Sequence, residues 1–78
     1  MIRNKKLEER IYNYIKNNGN NYVDSVDIVH RFNSEFMSDS ILDAIGHLRI
    51  NGFIDRISAG IHYYYVTLKP YKENETEN

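Results

Sequence analysis

The pairs Asp24/Asp27 and Asp39/Asp43, together with His30, His47 and His62, are the residues on which acid–base or metal chemistry would have to be built. The histidines lack metal-ligand spacing with the carboxylates. Both acid pairs fall at or near predicted helix starts, where capping and the helix dipole account for them. No glycine-rich phosphate loop, nucleophile elbow or zinc motif is present. A chain of 78 residues also leaves little room for a pocket. The expectation is a protein that is not an enzyme, with no catalytic residues, no metal and no cofactor.

Cationic and aromatic side chains give a second kind of chemistry. Arg3, Lys5, Lys6 and Arg10 form the largest basic cluster, and Tyr63, Tyr64 and Tyr65 stand in a row near the end. Net charge is −1, but "ENETEN" at 73–78 holds three of the eleven acids and no base. Without it, ten bases face eight acids, a net +2 over residues 1–72. That is mildly basic, short of what a non-specific nucleic-acid binder shows.

There is no cysteine, so neither disulfides nor thiolate metal sites can support so small a core. Oligomerisation is the remaining source of support. No apolar run approaches the roughly 20 residues that span a bilayer, and "MIRNKKLEER" lacks the apolar segment of a signal peptide. The expectation is a soluble, cytoplasmic protein with no membrane partner.

The elements that position these residues follow from periodicity. Leu7, Ile11, Tyr14 and Ile15 recur at helical spacing and predict a helix over 5–18, with Gly19 beyond its end. "NNYV" (20–23) predicts a brief strand. Asp24 and Ser25 are N-cap types, Asp27 suits a first turn, and a second helix is expected from Val26 to Phe32 with Ile28, Val29 and Phe32 buried. "NSEFM" reads as a turn with Phe36 in the core. Ser38 is expected to cap a third helix running to Ile50 or Asn51, with Gly52 as its stop.

The period then changes to two. Phe53–Ile57, a turn at "SAG", and Ile61–Leu68 predict a hairpin. Tyr64, Val66 and Leu68 are expected to face the core, and Tyr63, Tyr65 and Thr67 to face away. Residues 1–69 form one domain in this reading. The polar, acidic segment 70–78 is expected to be disordered.

"SVDIVHRF", "SDSILDAIGHLRINGFIDR" and "YYYVTL" resemble the winged helix-turn-helix of prokaryotic, archaeal and viral transcription regulators. The resemblance rests on Ile28–Val29, then Ile41, Ile45 and Leu48, then Gly52-Phe53-Ile54, Arg56, and Tyr64-x-Val66-Thr67. It covers most of residues 5–69 and departs in a longer turn between the second and third helices. It implies an α+β fold: three helices, a short strand after the first, and a C-terminal two-stranded β-hairpin wing. It also implies a regulator that binds double-stranded DNA through the third helix and the wing. The Asn-, Ile-, Lys- and Tyr-rich composition points to an AT-rich genome, viral or archaeal, and a viral protein would work in the host cytoplasm.

The candidate DNA-binding residues are Ser38, Ser40, His47, Arg49 and Asn51 on and after the third helix, with Arg31 and Arg56 as phosphate contacts. A homodimer would place two copies of that helix about 34 Å apart on a palindromic site. Its expected interface is Leu7, Ile11, Tyr12, Tyr63 and Tyr65. One feature opposes this reading. The face of the third helix opposite Ile41 holds Asp39, Asp43, Gly46, His47 and Ile50, with two acids and no Lys or Arg, although these are the commonest specific partners of guanine. Gly46 also weakens the helix, which a close partner backbone would explain. The alternative is therefore a module that binds another protein and not DNA through this helix.

Overall fold

The computed structural model describes residues 4–18 and 23–71. Arg3, Gly19, Asn20 to Tyr22 and most of the 70–78 segment lie outside them. The described chain has three helices and a small antiparallel sheet: α1 (Lys5–Asn17), β1 (Val23–Asp24), α2 (Ser25–Phe32), α3 (Ser38–Ile50), β2 (Ile54–Ala59) and β3 (His62–Thr67).

Capping explains where the first two helices begin. Asn4 Oδ1 accepts from the Leu7 N–H at 2.9 Å, and Asp24 Oδ1 accepts from the Val26 N–H at 3.1 Å. Each satisfies a donor that a helix start leaves open. α3 differs. Its N-cap is Met37, which cannot accept such a bond, and Ser38 is the first helical residue and not the expected cap. α3 stops where Gly52 takes φ +79, a left-handed conformation that suits glycine.

β3 is the central strand of the order β1–β3–β2, antiparallel to both neighbours. Ala59 pairs with His62, so the turn is Gly60–Ile61, and Ser58 and Ala59 stay in the strand. Gly60 has φ +65, and no described non-glycine residue has positive φ. A positive φ at the first turn position alone is the type II′ pattern, whose twist suits a hairpin.

The register overturns the expected facing of β3. Tyr65 lies opposite Val23 on one side and Arg56 on the other, and paired residues share a face. Val23 and Tyr65 are both 4% exposed, so this face looks into the core. Tyr64 and Val66 are half-buried and Leu68 is exposed, on the face expected to be inner. The segment is apolar at both parities, so alternation alone does not choose a side. Pairing with β1 does.

The core gathers Leu7, Ile11, Tyr12 and Ile15 of α1, Ile28 and Phe32 of α2, Ile41, Ala44, Ile45 and Leu48 of α3, and Phe53, Ile54 and Tyr65 of the hairpin. Val29 and Phe36, expected in the core, pack on its edge. Tyr12 donates its hydroxyl to the Lys69 carbonyl at 2.7 Å, joining α1 to the segment just after β3. Packing continues past the expected boundary at residue 69. The Tyr71 ring lies 4.8 Å from that of Phe53 and 5.7 Å from that of Tyr12. Glu8 is fully buried and accepts from the Tyr71 hydroxyl at 3.5 Å.

Two glycines give opposite expectations for stability. A Cβ at Gly46 meets nothing within 4 Å, so Gly46→Ala should stabilise the fold by about 1 kcal/mol through helix propensity. Gly52→Ala should destabilise it by about 1–2 kcal/mol, the cost of a left-handed residue bearing a Cβ. Denaturant unfolding measures both, and a destabilising Gly46→Ala would show that the chain itself needs that glycine.

Candidate nucleic-acid interface

The candidate residues divide by what they already touch. Ser38 and Ser40 lie exposed in the first turn of α3, beside N–H groups without a side-chain cap. Asn33, Phe36, Met37, Ser38 and Asp39 line an open depression of about 510 Å³ at this end of the helix. Arg49 is exposed, and its side chain has no partner among the described residues. His47 is half-buried.

Asn51 turns back on its own helix. Its Nδ2 donates to the His47 carbonyl at 2.9 Å, satisfying one of the open acceptors at the helix end. Arg31 on α2 stacks over its neighbour Phe32, 5.3 Å from the ring centroid, and Arg56 on β2 stacks over Tyr63 at 4.4 Å. Both remain exposed, so each stack leaves guanidinium edges open to an acceptor.

On α3, helical spacing sends the expected polar residues to two flanks. Relative to Ile41, Ser38 and Arg49 lie at about 60–80°, and Ser40 and His47 at about 240–260°. Between them runs a strip of Asp39, Leu42, Asp43, Gly46 and Ile50. Leu42 is 50% exposed and Ile50 83%, and Met37 before the helix is 76% exposed. The exposed side of α3 is thus acidic and apolar along its centre and polar at its edges.

Four of the five expected interface residues are not on a surface. Leu7, Ile11, Tyr12 and Tyr65 are buried within one chain, because the α1 stripe and the inner face of β3 supply its own core. Tyr63 alone is exposed, at 44%. It shares the core-facing side of the sheet but lies nearer the turn, under Arg56.

One ion pair and one histidine–carboxylate contact join residues far apart in sequence. Arg10, assigned to the basic cluster, makes a two-pronged pair with Glu35 at 2.8 and 3.0 Å, tying α1 to the turn after α2. Its guanidinium also lies over Phe32 and Phe36. The bond to Arg10 holds the Glu35 carboxyl below its ordinary value. His62 Nδ1 lies 2.9 Å from Asp24 Oδ2, joining β3 to the cap of α2. Partners 25 and 38 residues apart carry no local signal.

No group of three or more histidines, cysteines or carboxylates able to hold a metal occurs among the described residues. Nor is any helix among them long and apolar enough to cross a membrane. Compared with protein-family models, curated protein sequences and solved structures, the chain has no match.

Asp24 predicts an acid limit to stability. Its carboxyl is held below the ordinary value first by the Val26 N–H and then by His62. The folded state therefore favours ionised Asp24. That contribution is present above the unfolded pKa and is lost as pH falls through the lower folded one. Glu35 acts in the same direction. Stability should fall on acidification below about pH 4, and Asp24→Asn, which keeps an acceptor for Val26, should flatten part of that fall. Unfolding across an acid pH series tests this, and identical pH slopes for the two proteins would refute it.

Proposed function

We propose that this protein is a small winged helix-turn-helix that binds duplex DNA as a transcriptional regulator. The element order and the three-stranded sheet support that reading, with α2, the turn 33–37 and α3 as the helix-turn-helix and β2–β3 as the wing. The observation that carries it furthest is the start of α3. α1 and α2 close their first turns with Asn4 and Asp24, whereas α3 offers uncapped N–H groups flanked by two exposed serines. Such a turn accepts a phosphate, and its helix dipole favours the negative charge. Arg31, Arg49 and Arg56 add exposed cations on α2, α3 and β2. Phosphate contacts of this kind position a protein on duplex without reading its sequence.

The wing tip contributes little charge. Ser58, Ala59, Gly60 and Ile61 include no cation, so the hairpin abuts the backbone instead of probing a minor groove. Arg56, at the base of the wing, is its cationic contact.

A second reading follows from the strip between the flanks of α3. Leu42 and Ile50 are exposed beside Asp39 and Asp43, a combination that suits a protein partner better than a base edge. In this reading the same fold is an interaction module.

Titration of the purified protein against random duplex across salt concentrations separates the two. DNA binding predicts saturable association whose logarithm falls with the logarithm of salt, by about 0.9 per phosphate neutralised. Arg31→Ala and Arg56→Ala should each lower that slope by about one. Replacing Asp39 and Asp43 together by Lys should raise affinity and steepen the slope. Absence of binding even at low salt would overturn the DNA reading in favour of the protein partner.

A further inference from the structure

The exposed face of α3 is arranged symmetrically about Gly46. Leu42 and Ile50 lie four residues to either side and about 40° from it around the helix. Asp43 and Arg49 lie three residues to either side and about 60° from it, with opposite charges. Neither charged side chain has a partner among the described residues. A Cβ at 46 meets nothing within 4 Å, so no packing within the described chain calls for glycine there. A mid-helix glycine nonetheless weakens the helix.

We propose that this face pairs with the same face of a second copy, the two α3 helices crossing at Gly46. The row Leu42–Gly46–Ile50 is an i±4 ridge, inclined about 26° to the helix axis. Facing two such rows along one line crosses the helices at about 50°. With a two-fold axis along the row, Leu42 meets Leu42 of the second copy and Ile50 meets Ile50. Asp43 then faces Arg49 of the second copy, and the symmetry makes that ion pair twice. Glycine at the crossing lets the backbones approach. The charges match in this parallel sense and not in the antiparallel one, which puts Asp43 and Arg49 on opposite sides of the contact. The surface is unlike the one expected from sequence, since the α1 stripe is already core.

Pairing needs no nucleic acid. Its consequence for regulation rests on the DNA reading above: a paired α3 face cannot enter a groove, so a second copy and DNA compete for it.

Sedimentation of the full chain without DNA, from about 1 μM to about 1 mM, tests the pairing, a range that covers a weak dimer between single helix faces. A monomer–dimer equilibrium within that range is expected. Gly46→Leu, whose Cβ meets open space and which is a good helix former, should keep the helical circular dichroism and weaken the dimer at least about tenfold. Asp43→Arg and Arg49→Asp should each weaken it about tenfold, and the double exchange should return it to within about threefold of the parent. A monomer at every concentration, a dimer indifferent to Gly46→Leu, or a double exchange that recovers nothing would each overturn the proposal. Adding duplex should dissociate the dimer. A dimer that forms normally but binds no DNA at low salt would overturn the DNA reading alone and leave the pairing standing.

Discussion

The fold depends on β3 being paired along both edges. Its Tyr65 is flanked by Val23 and Arg56, so one strand near the end of the chain holds β1, which opens α2, to β2, which follows α3. A two-residue strand such as β1 has no stability of its own. Val23 is ordered because Tyr65 lies beside it, and Asp24 is then placed both to cap α2 and to meet His62. The Tyr12 hydroxyl on the Lys69 carbonyl ties the segment just after β3 to α1. These long-range contacts cost loop-closure entropy, and local helices alone would not hold the fold together.

That dependence explains what could be read from the chain. Helix positions were legible because the signals are local: an apolar stripe at 7, 11 and 15, Asp24 before an amphipathic run, and Gly52 after α3. The hairpin was legible from the change of period. The side of the sheet that faces inward was not, because Tyr63 to Leu68 offers bulky side chains at both parities and the choice lies with a register set by Val23. That Leu7, Ile11, Tyr12 and Tyr65 are core residues and not the expected surface has a related reason. A hydrophobic stripe shows that a face is covered, not by what, and in so short a chain its own core takes the stripe first. Glu8, fully buried on that same face, carries no signal that marks it off from the exposed acids.

The candidate site was legible as residues and less so as a surface. Ser38, Ser40, Arg49, Arg31 and Arg56 are all exposed. Their availability is unequal in a way that composition does not reveal. Arg10 is held by a carboxylate and two aromatic rings, Arg31 and Arg56 rest on rings, and Asn51 closes its own helix. An exposed guanidinium–ring contact contributes about 0.5–1 kcal/mol, small enough for a phosphate to reorient the group. The bidentate Arg10–Glu35 pair removes both charges from the field an approaching polyanion meets. That pair is neutral as a unit, so the net +2 over residues 1–72 is unchanged and is carried by the other groups, Arg31, Arg49 and Arg56 among them.

α3 is where these constraints meet. Its inner face is fully committed, with Ile41, Ala44, Ile45 and Leu48 in the core, so no rotation of the helix can hide Leu42 or Ile50. Its outer face is left open, and the two ends of that face differ. The first turn, with open N–H groups and serines, is suited to phosphate, while the strip about Gly46 is suited to an apolar surface carrying complementary charge. A small domain has only a few kcal/mol of net stability, so about 1 kcal/mol lost to a mid-helix glycine is a substantial fraction of it. No contact within the described chain recovers that loss. The economical physical account is an intermolecular one, in which the glycine permits an approach that any side chain at that position would block.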